Sequence, residues 1–142
     1  MATIKGGRLI YVEAKRDRQD INPSGMNMNV QIENVEAGKD EITVSYEYTV
    51  TYNDAIGTMK LRGIVFLQET PKEAKEIAKE WKEKKKFTPE FTEVLLNYIS
   101  YVAGVAGTFF SQPLGLGAPL MLAPIKMRQE GGKLPGAGKG TA

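Results

Sequence analysis

The sequence predicts an α+β domain in which a four-stranded antiparallel β-meander is covered by a long apolar helix and a shorter surface helix. Three observations support this fold class. Apolar side chains recur at every second residue in stretches before residue 68, as in half-buried strands. After Thr70 the period becomes helical, and two Thr-Pro pairs mark helix starts. The length of 142 residues, of which 42 % are apolar, suits one domain with a real core.

Four segments are typical of strands, and polar or glycine-containing turns separate them. The predicted strands are 8–14, 26–35, 42–52 and 58–67. The third carries six apolar residues in strict alternation, namely Ile42, Val44, Tyr46, Tyr48, Val50 and Tyr52. The short connections predict antiparallel pairing in chain order. Gly63 is expected to mark a bulge, because the pattern after it is continuously apolar.

The segment TPKE at 70–73 predicts the start of the shorter helix, because it places threonine at the N-cap, proline at the first helical position and glutamate at the third. The helix is expected to span 71–86. Its apolar stripe is thin, so it should lie on the surface and dock through Ile77 and Trp81.

The second Thr-Pro pair predicts a long helix from about residue 89 to about residue 110, apolar over most of its circumference. Gly104 and Gly107 should bend it or let another segment approach closely, and Pro113 should end it. Such a helix is a suitable cover for the sheet. The apolar segment 113–127 that follows is rich in glycine and proline, so we expect it to be extended and packed.

Composition removes several classes of site. The chain has no Cys and no His, which excludes disulfides, thiolate nucleophiles, zinc sites of the usual Cys/His type and histidine acid–base catalysis. The net charge is +2, and residues 126–142 hold four basic residues against one acidic residue. The remaining body is therefore nearly neutral, which is not typical of a nucleic-acid-binding domain. The first residues lack the apolar stretch of a signal peptide, so we expect a cytoplasmic protein.

The glycine-rich end contains PGAGKGT at 135–141, which resembles a phosphate-binding loop. That motif needs a buried strand before it and a helix after it. Lys133 stands where the first glycine belongs, and Gly140 stands where serine or threonine belongs. We therefore predict that 128–142 is a flexible basic tail. No nucleotide, metal or other cofactor is predicted, and no small-molecule site is encoded in a recognisable motif.

The order of four strands, a short helix, a long helix and an apolar segment is shared with a known family. The residues that carry the likeness are LRGIVFL at 61–67, TEVLLNYISYVAGVAGTFF at 92–110 and LGLGAPLMLAPIKM at 114–127. The last segment contains an L-x-L-x-P-[IV] stretch, which here is Leu120, Leu122, Pro124 and Ile125. On these features the chain resembles the SecB protein-export chaperones and their smaller SecB-like relatives over residues 5–127.

The resemblance implies a single SecB-like domain at 1–127 that binds unfolded polypeptides in apolar grooves, as a holdase in protein transport. It also implies a homo-oligomer, either a dimer or a tetramer, which the free edges of a four-stranded sheet favour as well. The expected client-binding residues are Met26, Met28, Phe66, Phe109, Phe110, Leu114 and Leu116. Bacterial SecB engages the SecA motor through an acidic surface and tail. The neutral body and basic tail of this chain argue against that role.

Three other hypotheses stay open at this stage. The basic tail could attach the domain to a larger assembly, such as a ribosome, as an accessory subunit. The uncharged segment 94–110 follows the basic residues 82–86 and could enter a membrane, although the sheet needs it as a cover. An enzyme would have to use carboxylate pairs such as Glu80/Glu83 or Asp40/Glu41. These lie in charge runs typical of solvated surface, so no catalytic residue is predicted.

Overall fold

The computed structural model describes residues 2–119 and contains four strands and two long helices. The strands are β1 (Thr3–Arg16), β2 (Met26–Ala37), β3 (Glu41–Tyr52) and β4 (Gly57–Gln68). The helices are α1 (Pro71–Lys84) and α2 (Pro89–Ser111). The four-stranded antiparallel sheet with two helices is confirmed. The L-x-L-x-P-[IV] stretch and the basic tail lie outside the described residues.

The order of strands in the sheet is β1-β4-β3-β2, so the prediction that strands pair in chain order is wrong for β1. Only β2, β3 and β4 form a meander, and β1 pairs antiparallel with β4. The reason is the connection 17–25, which is too long and too polar for a tight hairpin and crosses the end of the sheet instead. Backbone hydrogen bonds hold its two ends to the β3–β4 connection: Asp17 N–H donates to Ile56 O at 2.6 Å, and Asn53 N–H donates to Gly25 O at 2.9 Å.

β1 begins at Thr3, five residues before the predicted start. The predicted strand starts later because the pair Gly6-Gly7 interrupts the strand pattern in the sequence. Gly7 has a packing role that periodicity does not reveal. A Cβ atom at this position would lie 2.7 Å from the hydroxyl of Tyr98 on α2. The missing side chain therefore lets the long helix approach the first strand closely.

Gly63 is not a bulge residue, although the sheet is irregular at its level. It pairs in register with Tyr46 on β3, whereas the three register shifts fall on the two edge strands, at Lys5 and Ile10 in β1 and at Glu33 in β2. A Cβ atom on Gly63 would collide with the hydroxyl of Tyr46 and lie 2.6 Å from its Cζ. Glycine is therefore needed here to make room for a buried ring, and not to loosen the ladder.

The two helices pack on the same face of the sheet, over different strands. α2 lies over β1 and β4 and buries Leu95, Ile99 and Ala103. α1 packs mainly on β2, with Ala74 and Trp81 buried. Trp81 is thus a docking residue as predicted, and Ile77, which is half-buried, also packs against the core.

The helix starts follow the predicted capping chemistry. The hydroxyl oxygen of Thr70 accepts a hydrogen bond from Glu73 N–H, and that of Thr88 accepts one from Phe91 N–H, both at 3.3 Å. α1 ends at Lys84, two residues earlier than predicted, because Lys85 adopts a left-handed backbone conformation with φ of 56°. In that conformation the ammonium of Lys85 lies 3.7 Å from the centre of the Trp81 ring.

The chain that leaves α2 folds back over it, as the glycines predict. A Cβ atom on Gly107 would lie 2.5 Å from Cγ of Pro119, so the helix surface is open where the exit segment 112–119 crosses it. Residues Pro89–Leu114 are long and apolar enough to cross a membrane by length and composition alone. In this structure the helix forms the cover of the sheet, through the residues named above.

Candidate functional site

On the face of the sheet that carries the helices, the part formed by β2 is incompletely covered. Alternate residues of this edge strand point to the same face as the core, and they form an apolar strip that we call the β2 strip: Met26, Met28, Val30 and Ile32. Three of its members are half-buried, and Met28 is 38 % exposed. α2 lies over β1 and β4, and α1 packs near Val35 at the far end of β2. Within residues 2–119, the strip between them is only partly covered.

Two tyrosines of β3 flank the β2 strip on the same face of the sheet. The hydroxyl of Tyr48 donates a hydrogen bond to Sδ of Met28 at 3.0 Å, and the hydroxyl of Tyr52 donates to the carbonyl of Gly117 in the exit segment. Met26 lies next to the same glycine, since a Cβ atom on Gly117 would be 3.2 Å from Cε of Met26. The strip therefore ends against the exit segment on this side.

Burial raises the pKa of Tyr46, Tyr48 and Tyr52 to about 12, with neighbouring tyrosines adding a smaller contribution for the first two. All three phenols therefore keep their protons at physiological pH, and those of Tyr48 and Tyr52 act as neutral donors. Apolar contacts and neutral hydrogen bonds define this side of the sheet.

These tyrosines predict a loss of stability at alkaline pH. In the unfolded chain a tyrosine ionises near pH 10, whereas in the folded protein it keeps its proton to about pH 12. Between these values the folded state binds more protons, so the free energy of unfolding is complete below pH 10 and falls as the pH rises toward 12. The urea midpoint measured at pH 9, 10 and 11 should decline, and Tyr48→Phe should make the decline shallower. A constant midpoint over this range would contradict the burial of these hydroxyls.

One guanidinium joins the two irregular segments beside the strip. Arg16, at the end of β1, donates from Nη2 to the carbonyl of Ile21 at 2.9 Å and from Nη1 to the carbonyl of Leu114 at 3.0 Å. Its Nε donates to the carbonyl of Arg18 at 2.8 Å. The crossing connection 17–25 and the exit segment are thereby held at a fixed distance. The sequence places Arg16 in a polar run, where nothing distinguishes it from a solvated side chain.

The backbone of β2 is the second component of the site. β2 pairs with β3 on one side, and within residues 2–119 no strand pairs with its other side. Its outward N–H and C=O groups can therefore pair with an additional extended chain, whose alternate side chains would lie beside the β2 strip on the same face of the sheet.

Four of the seven predicted client-binding residues lie at this end of the molecule. Met26 and Met28 belong to the β2 strip. Leu114 is half-buried in the exit segment, and Leu116 is 6 % exposed, so its side chain packs in the core rather than on an open surface. Val30 and Ile32 were not singled out from the sequence, although the same alternation that placed the methionines on one face includes them.

The three phenylalanines lie elsewhere. Phe66 points to the opposite face of the sheet, where the guanidinium carbon of Arg8 lies 5.5 Å from its ring centre. Phe109 and Phe110 stand at the end of α2, with ring centres 5.2 Å apart in an edge-to-face arrangement. The structure thus does not bring the seven residues into one groove.

Phe109 belongs to a separate apolar surface on the outer side of α2. Three residues spaced four apart, Tyr101, Val105 and Phe109, are 72 %, 57 % and 72 % exposed, and we call them the α2 stripe. No charged residue occurs between Val94 and Pro119. A large exposed apolar stripe of this kind is typical of a surface that contacts another protein.

The carboxylate pairs considered in the sequence do not converge. Glu80 lines a cavity of about 340 Å³ between α1 and the start of α2, whereas Glu83 lines a different cavity between α1 and β2. Glu41 is paired with Lys5 at 3.1 Å. Across residues 2–119, no group of three or more acidic residues is arranged to hold a metal ion.

Comparison with known proteins identifies the fold. No family model and no curated protein matches the sequence. A solved structure that resembles this one is the Mycobacterium tuberculosis Rv1957 SecB-like chaperone in complex with a ChAD peptide from the Rv1956 HigA1 antitoxin. The TM-score is 0.55 and the sequence identity 16 %, over 87 % of this chain and 86 % of the other. The chain therefore has a SecB-like fold.

Proposed function

We propose that this protein is a non-enzymatic holdase that binds unfolded polypeptides in an extended conformation along β2. The observation that carries the proposal is the combination, on one edge strand, of a partly exposed apolar strip and a backbone that no strand within residues 2–119 pairs on its outer side. The fold-level likeness supports it, because the resembling chaperone was solved with a bound peptide.

The geometry suits a client with little sequence specificity. Main-chain hydrogen bonds to an edge strand recognise any extended segment except at proline, and alternate apolar side chains of the client would lie on the β2 strip. Methionine suits such a surface, because its unbranched and polarizable side chain adapts to ligands of different shape. Met26 and Met28 occupy the half of the strip nearest the exit segment.

An aggregation assay tests the proposal. A chemically denatured client is diluted into buffer with increasing amounts of the purified protein, and light scattering is followed. Suppression of scattering near stoichiometric amounts is expected. If scattering is unchanged at a several-fold excess of well-folded protein, the holdase proposal is wrong.

We also propose that the protein acts as a homo-oligomer, a dimer or a tetramer, in which the α2 stripe is covered by a second copy. Its three residues are too exposed and too apolar for a stable isolated surface of a soluble chain, and α2 carries no charge there to oppose self-association. The mass in solution, measured by light scattering after size-exclusion chromatography, should correspond to two or four chains. A monomer at micromolar concentration would overturn this assignment.

A further inference from the structure

The charges of α1 are separated onto two sides of the helix. Three lysines spaced four and three apart, Lys75, Lys79 and Lys82, face β2, and we call them the lysine row. Three glutamates, Glu73, Glu76 and Glu80, face the opposite way, toward the start of α2. In the sequence the two sets alternate and look like one mixed, solvated helix surface.

The lysine row borders an open cavity of about 450 Å³ between α1 and the end of β2. Its floor includes Val35 and Ala37, which point to the same face of the sheet as the β2 strip. Met26, Met28, Val30 and Ile32 precede them on the same strand. An extended chain that lies on the β2 strip and continues along β2 therefore passes the lysine row.

The cavity is electrostatically suited to an anionic ligand. None of the three ammonium groups lies within 4.0 Å of a carboxylate in the part of the chain that the structure describes. Two carboxylates also border the cavity, those of Glu36 and Glu83. The first is engaged by the amide of Asn34, which donates to Glu36 Oε2 at 3.1 Å. The residues around the cavity thus carry three ammonium groups against two carboxylates, which gives a net charge of +1.

We infer that the preferred occupant of this cavity is an acidic stretch of the bound polypeptide, adjacent to the apolar stretch that lies on the β2 strip. The inference rests on the holdase function proposed above and narrows its substrate class to clients that carry aspartate or glutamate next to an apolar segment. The lysine row supplies attraction at long range and ion pairs on contact, whereas the strip supplies burial of apolar area.

Synthetic peptides with a fluorophore test the inference by anisotropy. Each contains a short core that alternates leucine and serine, flanked on one end by glutamates or, in the reference peptide, by glutamines. Versions with the glutamates at the amino end and at the carboxyl end cover both directions of strand addition. The better glutamate peptide should bind about tenfold more tightly than the reference at low salt, as expected for three exposed ion pairs. The difference should shrink at 0.5 M NaCl.

Two triple variants with the same change of charge separate the lysine row from general electrostatics. Lys75→Gln, Lys79→Gln and Lys82→Gln together should abolish the preference for glutamates and leave binding of the reference peptide within about twofold. The control combines Lys60→Gln, Lys84→Gln and Lys86→Gln, at positions that do not border the cavity, and should keep the preference.

The outcomes distinguish this inference from the holdase proposal. If the reference and glutamate peptides bind equally well to the wild-type protein, the inference is wrong and the holdase function stands. If no peptide binds even at the highest protein concentration tested, the holdase proposal and the inference are both wrong. If the first triple variant changes the mass in solution but not the preference, the lysine row contacts a second copy of the chain and the inference is overturned.

Discussion

Replacing Gly63 with valine is expected to lower the free energy of unfolding by about 3 kcal/mol, at the upper end of what overpacking of a core usually does. The new Cβ would occupy the space of the Tyr46 hydroxyl and Cζ. Tyr46 is 1 % exposed and lies under the helices, so its ring has no free volume into which to move. The measurement is urea unfolding followed by circular dichroism, with comparison of midpoints and slopes.

Gly6→Val is the matched control, because a Cβ on Gly6 in edge strand β1 meets nothing within 4 Å. This substitution should change the free energy of unfolding by less than about 0.5 kcal/mol. Removing the ring by Tyr46→Leu should also reduce the loss in free energy of unfolding that Gly63→Val causes, as a double-mutant cycle would show. Equal effects of the two glycine substitutions would mean that the ring does not lie over Gly63.

The second large effect is expected in client binding. Met28→Asp should weaken binding of unfolded polypeptide about tenfold, because a carboxylate on the β2 strip would have to be desolvated against the apolar side chains of the client. Met28 is 38 % exposed in the free protein, so the charge stays hydrated there and the fold should persist. Suppression of aggregation and peptide anisotropy measure the loss, and circular dichroism checks the fold.

Asn29→Asp provides the control for Met28→Asp. It introduces the same charge one residue later on the same strand, but on the opposite face of the sheet. Client affinity should stay within about twofold of the wild type, since the new carboxylate remains in water. If both variants keep wild-type binding, clients do not use the helix-bearing face of β2, and the α2 stripe is the next surface to examine.

The separation of charges on α1 illustrates why part of the candidate site could not be predicted from the sequence. The spacing of Lys75, Lys79 and Lys82 is visible in the sequence, but so is that of the interleaved glutamates. Which set faces β2 depends on the side of the helix that Trp81 and Ala74 bury. That side is chosen by contact with β2, a strand that lies more than thirty residues earlier in the sequence.

For the same reason, only part of the predicted client-binding set could be placed correctly from the sequence. Met26 and Met28 could be placed on one face from alternation alone, since that property is local to β2. Phe66 and Phe109 were grouped with them as residues of an expected apolar groove. In the structure, Phe66 lies on the sheet face away from the helices and Phe109 lies on the outer side of α2. Both positions depend on which side of β4 and of α2 packs in the core.

The amino-acid order was sufficient for the α+β class, the four strands, both helix starts and the covering role of α2. Periodicity and capping act over a few residues, so the local sequence of each segment determines whether it forms a strand or a helix and where a helix starts. Tertiary structure alone decided that β1 lies beside β4, that Gly63 accommodates Tyr46, and that β2 is an edge strand of the described sheet with a partly exposed apolar face. These features depend on which distant surfaces bury the most apolar area together, and no local pattern records that competition.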